Sequence, residues 1–91
     1  MSRNIVWTTQ FKKDYKLTQK RGHDINLLDN CIRTLAAGED LEPKYRDHTL
    51  SGRWSGHREC HILPGLLLIY RIENNNLVLV LARVGSHSDL F

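Results

Sequence analysis

Three β-rich apolar runs follow one another almost without pause late in the chain, at residues 57–62, 66–72 and 77–83. The connections between them, Leu63-Pro64-Gly65 and residues 73–76, are turn-like and short, so consecutive hairpins and an antiparallel meander are expected. Such a sheet must bury a face, and the cover has to come from upstream. There, residues 4–8 read as a short strand, after which Thr9 offers a hydroxyl cap to a helix reaching Lys20. Phe11, Tyr15 and Thr18 recur at i, i+4 and i+7 and would face the core. Gly22 breaks that helix and Asp24 caps the next, whose Ile25, Leu28, Ile32 and Leu35 form an apolar stripe ending at Gly38.

The expected fold is an α/β (α+β) domain in which two N-terminal helices pack on one face of a mainly antiparallel twisted sheet. Residues 4–8 pair along the sheet, and its other face is left for a ligand. At 91 residues the chain has material for one core, so residues 1–91 form a single domain. Residues 39–56, punctuated by Pro43, Gly52 and Gly56, read as a long loop with a short extended piece at 48–50. The N-terminus has no apolar signal core, and no apolar run is long enough to span a bilayer, so a cytoplasmic, non-membrane protein is expected. Cys31 and Cys60 then read as buried, reduced thiols.

A net charge of +3 excludes little by itself; its distribution says more. Lys12, Lys16 and Lys20 repeat every four residues and make a basic stripe along one helix face, near Lys13 and Arg21. With Arg53 they suit a nucleic-acid backbone. Of five histidines, His48 falls in the long loop, His61 late in a strand, and His87 just beyond the last strand, which ends at Arg83. Cleaving RNA without a metal needs a base for the 2′-hydroxyl, a cation for the phosphate and an acid for the leaving oxygen. His48, His61, Arg83 and His87 are the candidates, while His23 and His57 read as incidental. His48, His61 and His87 stand at none of the HxH, HxxxH or CxxC spacings among themselves, so neither metal nor cofactor is expected. Trp54, Tyr70 and Phe91 could stack on bases or pack the core; core packing is favoured for Trp54 and Tyr70, and Phe91 is open to either.

Several segments together resemble one family. These are Tyr45-Arg46-Asp47-His48 with Leu50 and Gly52-Arg53-Trp54, then Arg58-Glu59-Cys60-His61-Ile62 with Pro64 and Leu68-Ile69-Tyr70, and finally residues 83–91. Over nearly its whole length the chain resembles the RelE superfamily of bacterial toxins, in its YafQ branch. The resemblance implies a type II toxin that cuts mRNA in the ribosomal A site and leaves a 2′,3′-cyclic phosphate. It also implies a cognate antitoxin as partner, with DNA reached only through the antitoxin complex. By position, His48, His61, Arg83 and His87 match the family's active-site residues and Phe91 its terminal aromatic. The branch usually carries Asp after Pro64, where this chain has Gly65, so a carboxylate partner for His61 or His87 is missing and cleavage is expected to be attenuated. Two alternatives of other classes are a non-catalytic gyrase inhibitor like the ParE toxins and a module that only docks an antitoxin.

Overall fold

The computed structural model describes residues 2–91. Strand β1 (Asn4–Trp7) leads into helices α1 (Thr9–Lys20) and α2 (Ile25–Ala36), then β2 (His48–Thr49), β3 (Arg58–Leu63), β4 (Leu66–Glu73), β5 (Val78–Gly85) and a terminal helix α3 (His87–Leu90). The sheet order is β1-β5-β4-β3-β2, with β1 parallel to β5 and every other pair antiparallel. This is the expected α+β layout, and β1 lies along the sheet at its edge.

Helix α1 is capped one residue earlier than the sequence suggests. Thr8, extended at φ −62°, accepts the N–H of Phe11, and its hydroxyl donates to Leu81 O at 2.8 Å, so one side chain both starts the helix and stitches it to β5. Asp24 caps α2 as expected. Residues 39–56 are not a plain loop: two 3₁₀ turns, Pro43–Tyr45 and Gly52–Trp54, flank the two-residue β2.

The turns set the strand ends. Pro64 and Gly65, with Gly65 at φ +83°, close the β3–β4 hairpin in a conformation that favours glycine. Asn74, Asn75 and Asn76 all take positive φ between β4 and β5, which leaves Leu77 exposed ahead of the strand it was expected to begin. His57 likewise precedes β3, and β5 runs two residues past Arg83 to Gly85.

β4 is the central strand, and its alternation divides the protein. Leu66, Leu68 and Tyr70 join Phe11, Leu28, Ile32, Leu35, Leu79 and Leu81 in the main core under the helices. Leu67 and Ile69 point the other way and pack with Leu90, Trp54, Leu50 and Ala82 in a small second cluster. Cys31 and Cys60 are buried and unpaired, as expected, and burial pushes both thiols up. Leu68→Ala, which hollows the main core at a fully buried site, is expected to cost about 2–5 kcal/mol in urea unfolding. Val6→Ala on the exposed edge strand should stay within about 0.5 kcal/mol.

Candidate active site

Register builds the site. Pairing of His48 with Glu59, Glu59 with Ile69, and Ile69 with Arg83 lays these four residues in one row across β2, β3, β4 and β5. Pairing of His61 with Leu67, and Leu67 with Gly85, makes the next row on the same face. This is the face away from the helices. Two bulges bracket it, since Ile62 in β3 and Ala82 in β5 are each an extra residue in their ladder. Such insertions twist the strands locally and re-aim side chains.

At one end of the rows, the Nε2 atoms of His48 and His61 each lie 3.4 Å from the same oxygen, Oε1 of Glu59. Glu59 is only 6% exposed. The imidazole rings are 6.0 Å apart between centroids. The Nδ1 of His48 meets the carbonyl of Arg46 at 2.6 Å, which places the hydrogen on Nδ1 and leaves Nε2 as the atom that gains or loses a proton. Glu59 corrects one expectation: the carboxylate missing at Gly65 does not leave His61 without a partner. The pattern Glu59-x-His61 on a strand puts both side chains on one face, and that spacing was the available signal.

Arg83 is not the free guanidinium expected. Its Nε and Nη2 donate to Asp14 of α1 at 2.7 and 3.2 Å, leaving Nη1 as the unengaged edge. Asp14, 6% exposed, also accepts the N–H of Val84, and its hydrogen bond is the leading cause raising the Arg83 pKa. Sequence reasoning missed Asp14, although an acidic residue between Phe11 and Thr18 on a buried stripe is itself conspicuous.

His87 opens α3 rather than lying in a loop. A capping box between Ser86 and Asp89 forms that helix, and Leu90 plugs it into Leu67 and Ile69. Arg21, at the C-cap of α1, pins Asp89 at 2.7 Å, and the Leu90 carbonyl accepts from both Trp54 and Arg53. Phe91, 48% exposed, lies against His87 with ring centroids 4.9 Å apart. Tyr70 is withdrawn as a stacking platform because it is buried in the main core, while Trp54 is half-buried in the second cluster. Lys12, Lys16, Lys20 and Arg53 are exposed. Beside His61 a groove of about 520 Å³ opens, lined by Lys44, Tyr45, Arg46 and Pro64 among others.

The expectation of no metal rested on local spacing, and the fold brings together what the spacing separates. Ligand atoms of His48, Glu59 and His61 lie within 4.8 Å of one another. Two imidazole nitrogens and a carboxylate oxygen suit zinc or copper(II), and the Nδ1 contact of His48 is the outer hydrogen bond that such a ligand ordinarily keeps. Two atoms each bonded at about 2.1 Å to one tetrahedral ion stand about 3.4 Å apart, and each Nε2 already lies 3.4 Å from Oε1 of Glu59.

A family model described as a bacterial toxin of type II toxin–antitoxin systems, YafQ, matches residues 3–91. The mRNA interferase toxin YafQ of Escherichia coli (strain K12) is 37% identical over 92 residues, covering 100% of this chain and 98% of the relative. The toxin in the crystal structure of the E. coli DinJ–YafQ toxin–antitoxin complex superposes with TM-score 0.89 at 37% identity, covering 100% of this chain and 99% of that one. A copper-bound point mutant of a toxin from Helicobacter pylori superposes with TM-score 0.88 at 39% identity, covering 100% of both chains.

The α3 anchor is expected to be sensitive to acid. The hydrogen bond from Arg21, then those from the backbone and hydroxyl of Ser86, hold the Asp89 carboxyl down at about 2. A depressed carboxyl stabilises the fold above its ordinary value of about 3.9, and that contribution is lost as pH falls through about 2. NMR titration of the Asp89 carboxyl should show the low midpoint, and Arg21→Gln should move it upward.

Proposed function

Because the chain belongs to the YafQ family of toxins of type II toxin–antitoxin systems, we propose that it is an endoribonuclease that enters the ribosomal A site, cuts mRNA there and so stops translation. The observation that carries this reading is the common face on which the His48–Glu59–His61 cluster and Arg83 stand, and onto which Leu90 packs the short helix that begins at His87. The interferase name of the E. coli relative favours a nuclease over a gyrase inhibitor. By analogy with the DinJ–YafQ complex, a cognate antitoxin in the cytoplasm holds the toxin inactive and provides its link to DNA.

In the mechanism, His48 or His61 takes the proton of the 2′-hydroxyl through Nε2, and Glu59, facing both Nε2 atoms, offsets the positive charge that the protonated ring acquires. The 2′-oxygen attacks phosphorus and the bond to the 5′-oxygen breaks, leaving a 2′,3′-cyclic phosphate. Arg83, aimed by Asp14, offers its Nη1 edge to the phosphate as charge develops. His87 protonates the departing 5′-oxygen, and the exposed Phe91 beside it stacks on an mRNA base. Lys12, Lys16, Lys20 and Arg53 meet ribosomal RNA phosphates, which makes ribosome association weaken with salt.

The cluster of Nε2 and carboxylate donors supports a second, inhibitory role. The copper-bound H. pylori relative favours copper as the ion for the same donor set here. Bound there, the ion would occupy the Nε2 atoms that move the proton.

Three outcomes test these readings. Single-turnover cleavage of ribosome-bound mRNA should fall by about 10²–10⁴-fold in His87→Ala, and an unchanged rate would remove His87 from the mechanism. One equivalent of copper(II) should suppress cleavage and a chelator should restore it; full activity with copper bound would sink the inhibitory role. Gly65→Asp should leave the rate within about threefold, because Glu59 already partners His61, and should cost about 1 kcal/mol of stability at φ +83°.

A further inference from the structure

β2 holds one of the reacting imidazoles, yet it is two residues long, exposed at both, and tied to β3 through two residue pairs. The ring of His48 is nonetheless placed with Nε2 at Glu59 and Nδ1 at the Arg46 carbonyl. The preceding residue supplies the constraint. Asp47 accepts a hydrogen bond from Arg58 Nε at 2.8 Å through Oδ1 and one from the Tyr70 hydroxyl through Oδ2. Tyr70 is 1% exposed, on the central strand, and its ladder partner in β3 is Arg58 itself. One donor is thus buried on the central strand, and the other stands beside it at the start of β3.

Alternation along β3 completes the device. Arg58 points to the helix side and Glu59 to the open side, so Arg58 holds Asp47 on one face while Glu59 meets His48 on the other. Arg46, in the left-handed region at φ 51°, turns the chain so that its carbonyl reaches back to His48 Nδ1. We propose that Asp47 is a positioning residue for His48, and that the Tyr70–Asp47–Arg58 clasp carries the order of the core to an otherwise loosely held imidazole. The proposal deepens the nuclease reading and rests on it where catalysis is concerned.

The test is the double variant Asp47→Ala with Tyr70→Phe, in which the buried hydroxyl is removed together with its acceptor, while the Arg58 guanidinium, its side chain 40% exposed, turns to solvent. Asp47→Asn, which keeps an acceptor for Tyr70, serves as a milder second variant. Long-range proton–nitrogen spectra of the neutral His48 ring should show the Nδ1–H tautomer in the native protein and the Nε2–H tautomer usual for free imidazole in the double variant. With ribosome-bound mRNA, kcat should fall by at least about tenfold while KM holds within about twofold, as expected for a misplaced group rather than lost binding. Asp47→Asn should lie between. A folded variant with the native tautomer overturns the proposal, whatever its rate. A changed tautomer with undiminished kcat leaves the positioning intact and overturns the catalytic role of His48 instead.

Discussion

The burial of β4 on both faces is the constraint on which the rest of the structure depends. Leu66, Leu68 and Tyr70 need the helices, whereas Leu67 and Ile69 need cover on the side where the chemistry stands. That second requirement draws Leu90 onto the sheet, and Leu90 brings α3, His87 and Phe91 with it. The floor of the candidate active site is thus a small hydrophobic cluster, and the terminal helix reaches its place by the same apolar burial that stabilises any core.

Two carboxylates occupy positions where the pattern alone would put apolar side chains. Asp14 lies among the core residues of α1, and Glu59 is itself buried in β3. A buried charge is tolerated only when it is paired and hydrogen-bonded, and each of these is matched to cationic or imidazole groups. Among the described residues, no buried side-chain nitrogen or oxygen lacks a partner. The cost of burying charge is offset locally at both places, and both are beside groups assigned to the reaction. Local rules broken in this way are what single out this face as the candidate site.

Much of the architecture was legible in particular residues. The spacing of Ile25, Leu28, Ile32 and Leu35 specified α2, and the apolar runs with Pro64-Gly65 between them specified a hairpin. Errors clustered where a distant contact or a competing local preference overrode the signal that was read. Thr8 rather than Thr9 caps α1 because only Thr8 also reaches Leu81 O, a contact across 73 residues of sequence. Leu77 fell out of β5 because three successive asparagines took left-handed conformations. α3 escaped notice because a single turn has no periodicity to read, although Ser86 and Asp89 already stood at capping-box spacing.

Residue types and their periods determined by themselves that this chain forms one α+β domain and that its helices cover one face, and they nominated His48, His61, Arg83 and His87 as candidates for RNA cleavage. Local spacing governs those properties, because helical and strand periods are intrinsic to the backbone. Which groups meet was decided only by tertiary structure. Strand register set His48 and His61 on one oxygen of Glu59, and helix packing set Asp14 on Arg83. Those pairings join residues 11 and 69 positions apart, as in His48–Glu59 and Asp14–Arg83, and at such separations only the packed sheet holds the partners in place.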